Sequence, residues 1–397
     1  MRQALRICWI GGSRYSDPLN PTHEKKWQTL HQRLETMLFV VAFSVDLRPR
    51  QFSPHAHFYL LPALPAAILR YIIMFALGPL LLLWLILRHG VNVIVAHDPY
   101  FGAIGALAKG IVGLLGRRVV VIVESHADFE EALFMQRDVP LAGLMRRVMG
   151  AVARYSLRRA DLFRAVSSNT RDQLLRYQPQ TPLHQFMTWT DPDAFKQVPR
   201  QAVPSQSQAI TYAGVIIPRK GIHLLLDAFA RIVPDYPEAH LWLVGSPDNA
   251  DYHAACQAQA AALKLENHVD FVGRVNQDVL ADYMARSRAL ILPSSSEGLP
   301  RVIIEGMLVG LPIIATAVSG IPDVLVEGEN GYLIPPEDAD AIETALRKLY
   351  SAPPETVDMM GATARRFAVD FFSTDTYMQG YADLFDHARR LLEGPKR

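Results

Sequence analysis

LPSSSEGLPRVIIEGMLVGLPIIATAVSGIPDVLVEGENGYLIP, residues 292 to 335, packs two glutamates eight residues apart, a Gly-Leu-Pro turn and two short apolar runs into 44 residues. A strand, a loop, a helix and a second strand in that order make a binding lip at the carboxyl edge of a parallel sheet. Glu297 falls on the loop within Glu297-Gly298-Leu299-Pro300, and a helix beginning near Pro300 or Arg301 turns the amides of Leu299, Arg301 and Val302 outward. Proline suits that place because its missing N–H would have no partner there, and a helix N-terminus favours an anion such as a diphosphate. Glu305 lies about one turn further in, as an acceptor for sugar hydroxyls. Two glutamates at this spacing are by themselves ordinary solvated acids. The turn and the flanking strands raise them above that reading.

The same alternation runs outward in both directions. After the polar segment QVPRQAVPSQSQ (197 to 208), a linker by its prolines and lack of apolar period, strands are expected at 209–213, 240–244, 269–272, 289–292 and 312–315. Helices are expected at 222–232, 252–263, 277–287, 301–309 and 340–350. Before the linker, Arg6 to Ile10 reads as a first strand ending in a tight Gly11-Gly12 loop, followed by a helix capped by Thr22. Strands at 39–47, 91–96, 119–124 and 162–166 follow, with a helix at 169–177 capped by Ser167. Strands alternating with helices predict parallel, doubly wound sheets. Two of them on either side of a linker predict an α/β protein of two Rossmann-like domains facing across a cleft. The expected boundaries are 1–196, linker 197–208, 209–372, and a C-terminal helix over 373–397 crossing back to the first domain.

Half of the 397 residues are hydrophobic and 20% are charged, which excludes a disordered chain. A net charge of +1 argues against a nucleic-acid binder. Cys8 and Cys256 lack metal-ligand spacing, so a reduced, cytoplasmic setting is expected. The apolar run at the N-terminus, Ile7 to Ile10, is too short for a signal-peptide core.

Residues 71 to 87, YIIMFALGPLLLLWLIL, carry no charge. Seventeen helical residues reach about 25 Å, short of the roughly 30 Å hydrocarbon core. A single crossing would also separate strands that belong to one sheet. A buried or interface-lying helix, kinked at Gly78-Pro79, is expected instead. An amphipathic helix over 141–164 carries Arg146, Arg147, Arg154, Arg158, Arg159 and Arg164 against Asp161 alone. It is either a solvated face or, with residues 71 to 87, a peripheral contact with anionic lipid at the inner face of the membrane.

The block SSSEGLPRVIIEGMLVGLPIIATAVSGIPDVLVEGENGYLIPPED resembles the donor-binding region of glycosyltransferase family 4, the retaining GT-B enzymes. The likeness continues through Tyr212-Ala213-Gly214, Pro218-Arg219-Lys220-Gly221, Leu243-Val244-Gly245 and Val269-Asp270-Phe271-Val272-Gly273-Arg274. Upstream, the family's Gly-rich first loop is similar to Gly11-Gly12, its strand-end histidine to His126, and its Asp-x(3)-Phe to Asp191 and Phe195.

The resemblance implies that Lys220 binds the donor diphosphate, Glu297 lies near the donor sugar, Glu305 near the ribose, and Gly273 and Arg274 beside the base. It implies that His126, by its residue type alone a structural strand-end histidine, contacts the donor sugar, whereas His97-Asp98 stays a packed strand end. The family's arginine after the position of Gly214 is replaced by Val215, so either Arg219 substitutes or one charge is absent. Gly306 stands where alanine is usual. Asp191-Pro-Asp193 and Asp338-Ala-Asp340 are D-x-D patterns, the first in the linker approach and the second capping a helix, so no catalytic metal and no cofactor are expected. The implied function is transfer of a sugar from a nucleotide-diphosphate sugar, first of all a UDP-sugar, to a glycan, lipid-linked or small acceptor. A silent paralogue acting as a membrane-associated scaffold, and a nucleotide-sugar epimerase or hydrolase, are the alternatives.

Overall fold

The computed structural model describes residues 4–126, 129, 142–189, 193–197 and 204–394. The chain forms two compact units, Met1–Trp189 with Tyr377–Arg397, and Thr190–Thr376.

The first unit contains β1 (Arg6–Tyr15), α1 (Pro21–Leu34), β2 (Met37–Ser44), β3 (Arg50–Phe52), β4 (His57–Leu61), α2 (Ala67–His89), β5 (Val93–Ala96), α3 (Pro99–Leu114), β6 (Val120–Ser125), α4 (Ala142–Leu157), β7 (Leu162–Ala165), α5 (Ser168–Tyr177) and β8 (Leu183–Gln185). Its sheet has the order β3-β4-β2-β1-β5-β6-β7-β8. Every pair is parallel except β3 with β4. Successive residues of a strand point to opposite faces, so the apolar run of β1 serves two cores. Cys8 and Ile10 join α2, α3, α4 and α5 on one side. Ile7 and Trp9 meet Trp27 and Leu30 of α1 on the other, together with Tyr381, Phe385 and Leu392.

Three expectations are corrected in this unit. Asn20, not Thr22, caps α1, its side chain accepting from the His23 amide at 2.8 Å with Pro21 in the first turn. Gly11 and Gly12 are not a loop after the strand but part of β1, where the pairing register with β2 shifts between Ile10 and Arg14. The apolar helix is 23 residues long, about 34 Å, and runs unbroken through Pro79, so length does not exclude a crossing. The sheet does: β4 and β5 on either side of α2 lie in the same sheet, and Met74, Leu82 and Leu85 are fully buried against it.

The second unit contains α6 (Asp193–Lys196), β9 (Ala209–Ala213), α7 (Ile222–Ile232), β10 (His240–Val244), α8 (Ala250–Ala262), β11 (Val269–Gly273), α9 (Gln277–Ala285), β12 (Ala289–Leu292), α10 (Arg301–Val309), β13 (Ile313–Thr316), β14 (Gly331–Ile334), α11 (Ala339–Ser351) and α12 (Pro354–Phe371). Its all-parallel sheet has the order β11-β10-β9-β12-β13-β14. The last helix, α13 (Thr374–Glu393), belongs from Tyr377 onward to the first unit. Strands β3, β4, β8 and β14 and helices α6 and α12 were not among the sequence expectations.

Candidate functional site

Among the parallel strands of each sheet the order reverses at one place, and the crevice outside the carboxyl ends of the strands there is where open α/β sheets bind ligands. In the second unit the reversal lies between β9 and β12. The loops leaving those two strands are 214–221 and 293–300, and of the residues singled out in the sequence they hold Gly214, Arg219, Lys220, Glu297, Gly298, Leu299 and Pro300.

Backbone packing fixes both loops. Gly214 has φ +155° and Gly221 φ +67°. A Cβ on Gly221 would stand 2.4 Å from the Pro293 carbonyl oxygen, and one on Gly245 would stand 1.8 Å from that of Gly214. Only glycine allows such approaches. The Ser295 amide donates to the Arg219 carbonyl at 2.9 Å, and the Tyr212 hydroxyl donates to that of Val215 at 2.9 Å.

On this frame the buried Lys220 ammonium bonds the Glu297 carboxylate. The Arg219 guanidinium lies 3.6 Å from the same carboxylate and donates to the Ser296 carbonyl. Two cations, Lys220 and Arg219, thus converge on Glu297 with Val215 at the position after Gly214. Gly298 accepts from the Gly320 amide at 3.0 Å, and the loop then enters α10 through its N-cap residue Pro300, as expected. The first amides of a helix have no partner within it, which applies to Arg301 and Val302. Glu305 is buried on α10, 3.9 Å from Arg301. Burial raises its pKa and the Arg301 charge opposes the shift. Gly273 ends β11 with φ +79°, its carbonyl accepting from the Gly245 amide, and Arg274 follows it.

In the first unit the reversal lies around β1 and β5. Gly11 abuts His97, where a Cβ would come within 2.8 Å of the imidazole's own Cβ, and Gly12 abuts Phe101. His97 stacks on His126 with ring centroids 5.4 Å apart. Asp98 caps α3, accepting from the Phe101 amide at 2.8 Å. His97 is thus packed at the end of β5, as expected, and its ring lies against that of His126. Burial lowers its pKa to about 3 and raises that of Asp98 to about 6.

His126 is held from beneath by Glu124, which is fully buried on β6. The Nε2 of His126 lies 3.0 Å from one carboxylate oxygen; the other accepts from Arg164 at 2.9 Å and from the Tyr381 hydroxyl at 2.8 Å. Arg164 also donates to the Met187 carbonyl at 2.8 Å, with its guanidinium 4.2 Å from the Phe186 ring centroid. Burial opposes ionisation of Glu124, but Arg164, His126 and His97 outweigh it and hold the carboxyl well below its ordinary range. An ionised Glu124 only accepts, so the proton of a neutral His126 sits on Nε2 and Nδ1 is left as an acceptor. Burial lowers the pKa of His126 and Glu124 partly restores it.

Arg164 corrects a further expectation. It does not belong to the arginine-rich helix but to strand β7, where it is buried. Glu124, Arg164 and Tyr381 were missed, the last because it lies 257 residues from its partner. Asp191 falls outside the described residues. Phe195 is buried on α6. Of the other D-x-D pattern, Asp338 caps α11 and Asp340 pairs with Arg231 at 2.5 Å.

Sequence models of two families match adjacent parts of the chain, "Glycosyltransferase Family 4" over residues 28–193 and "Glycosyl transferases group 1" over 193–367. D-inositol 3-phosphate glycosyltransferase from Streptomyces griseus is 32% identical over 202 residues, 48% of this chain and 42% of that protein. The chain thus spans under half the length of that relative. Among solved structures, sucrose-phosphate synthase from Thermosynechococcus elongatus superposes with a TM-score of 0.75 at 20% identity, covering 96% of this chain and 98% of that one. HepE from Anabaena, solved with UDP, gives 0.72 at 20% identity over 96% and 100%. With two Rossmann-like parallel-sheet units and family matches running from residue 28 to residue 367, the chain belongs to glycosyltransferase family 4 and has the GT-B fold.

Proposed function

We propose that this protein is a retaining glycosyltransferase that moves a sugar from a nucleotide-diphosphate donor to an acceptor hydroxyl. The observation that carries the reading is the convergence of Lys220 and Arg219 on Glu297 at the reversal between β9 and β12. Two cations and a helix N-terminus in one place suit a diphosphate better than any neutral ligand. As the bond from the sugar's anomeric carbon to the phosphate oxygen breaks, its electrons pass to the diphosphate, and preorganised cations stabilise that charge. The acceptor oxygen forms the new bond to the same carbon and passes its proton to the departing phosphate oxygen, leaving glycoside and nucleoside diphosphate.

Glu297 is already committed to Lys220 and Arg219, which makes it a poor nucleophile. Attack by the acceptor on the leaving-group face, with retention of configuration, is the route we propose. Buried Glu305 suits ribose hydroxyls, and the His126 acceptor nitrogen suits a sugar hydroxyl. The UDP found with HepE makes uridine the first base to try for the donor.

We further propose that turnover needs no metal. Among the described residues His97, Glu124 and His126 bring possible ligand atoms within 4.8 Å of one another. Glu124 there already accepts from Arg164 and Tyr381 and sits 3.0 Å from His126, so a cation would have to displace partners. Turnover unchanged in EDTA is expected; strict metal dependence would refute this part.

The test is a melting-temperature screen over nucleotide sugars, followed by NMR of the product formed from the stabilising donor. A transferred sugar with the anomeric configuration of the donor is expected. Stabilisation by no nucleotide sugar would favour a silent scaffold, and a product formed equally without acceptor would favour an epimerase or hydrolase.

A further inference from the structure

The first unit carries a surface that the donor chemistry does not use. Helices α2, α3 and α4 lie side by side on one face of its sheet. Tyr71 stacks on Phe101 with centroids 5.5 Å apart, Gly78 packs on Ile104, Gly102 packs on Ser156, and Lys109 pairs with Asp161 at 2.5 Å. Their inner sides share one core. Their outer sides are unusual in two respects.

The first is apolar exposure at helical spacing. On α2 the outward row includes Ile72, Leu80, Trp84 and Leu87, with Leu80 64% exposed. On α3 it includes Ile111 and Leu114, with Leu114 88% exposed. Single exposed leucines are ordinary, but two adjoining rows on neighbouring helices form a patch. The second is charge. Arg146, Arg147, Arg154, Arg158 and Arg159 are exposed on α4 and just beyond it. No aspartate or glutamate occurs between Asp46 and Asp98, between Asp98 and Glu124, or between residues 139 and 160.

We propose that this face docks on an anionic lipid bilayer, α2 and α3 lying in the interface with their outer side chains in the acyl boundary and the α4 arginines on the headgroups. An apolar row beside a basic one matches such a surface on both counts, and two weak attachments together hold where one does not. A second copy of the chain would bring one acid-free surface against another. A transmembrane α2 would tear Met74 and Leu82 out of the core. The contact is therefore shallow and reversible. It belongs to the first unit alone and does not depend on the donor proposed above.

The experiment is flotation of the full chain with phosphatidylcholine vesicles, with and without roughly 30% phosphatidylglycerol, at about 0.1 M and about 1 M salt, where the Debye length falls from ~10 to ~3 Å. Binding is expected to the anionic vesicles at low salt and to weaken at high salt. Replacing Arg147, Arg154 and Arg158 by glutamine should lower the partition coefficient about fivefold per charge, on the order of a hundredfold in all. Trp84 reports insertion directly: brominated lipid should quench its fluorescence, and the quenching should vanish in Trp84→Phe and fall in Leu80→Ser/Leu114→Ser with the melting temperature unchanged. Equal binding to neutral vesicles, undiminished binding of the arginine variant, or an unquenched Trp84 would overturn the proposal. So would a dimer in sedimentation that Leu80→Ser/Leu114→Ser dissociates.

Discussion

Glu124 sits where three donors meet a carboxylate that water does not reach. Removing one partner of a buried ion pair leaves the other charge uncompensated, at a cost of about 3–5 kcal/mol. Glu124→Gln should therefore lower the melting temperature of the first unit by on the order of 10 °C, while Tyr381→Phe, which removes one neutral donor, should cost far less. The pH dependence has a definite sign. The carboxyl is held below its unfolded value, so its stabilisation is fully present above the ordinary glutamate pKa and is lost as pH falls through the folded one. Wild type should lose stability in acid over that window, and Glu124→Gln should show a flatter profile when melting is followed against pH. Because Glu124 also helps to keep a proton on His126, the substitution should move the acid limb of the turnover profile to lower pH. A purely structural role would leave that limb in place.

Helix α10 and the two loops beside it show why the local structure of the proposed site was legible in the sequence. The start of α10 at Arg301, its Gly310 end with φ +87°, and the Gly-Leu-Pro entry are all local properties that adjacent residues determine. The pairing of Lys220 with Glu297, 77 residues apart, was not expected; the resemblance to a family singled out each residue but not the bond between them. Helix α12 was missed because its first turn carries Pro354 after Pro353 and its middle holds Gly361, features that read as breakers. In the fold that glycine lets α12 close on α10: a Cβ there would stand 2.3 Å from the Gly310 carbonyl oxygen. The Gly221 loop is a direct test at this scale. Gly221→Ala puts a Cβ into a left-handed residue, costing about 1–2 kcal/mol, and drives it against the Pro293 carbonyl. Expected are a lower melting temperature for the second unit and weaker nucleotide stabilisation, read in the same melting experiment.

For the molecule as a whole, the alternation of strands and helices was enough to predict two parallel-sheet units, because each buried strand reads as a continuous apolar run. Which helix completes which unit was a matter of long-range packing. Trp9 meets Tyr381 and Phe385 edge to face at 5.9 and 5.8 Å, so α13 closes the core of the first unit from the far end of the chain. A chain ended at Ser373 should lose the near-ultraviolet dichroism of the first unit while the second still melts cooperatively. Arg164 taught the opposite lesson. Its neighbours made it look like one more exposed arginine, and the strand register turned it inward to Glu124. On the function proposed above, Lys220, steered by Glu297, stabilises a departing diphosphate. The most direct measurement is the initial rate of nucleoside diphosphate release from the stabilising donor, wild type against Lys220→Ala. A loss of at least about a hundredfold at saturating donor is expected, and a rate within about twofold of wild type would rule out that role for Lys220.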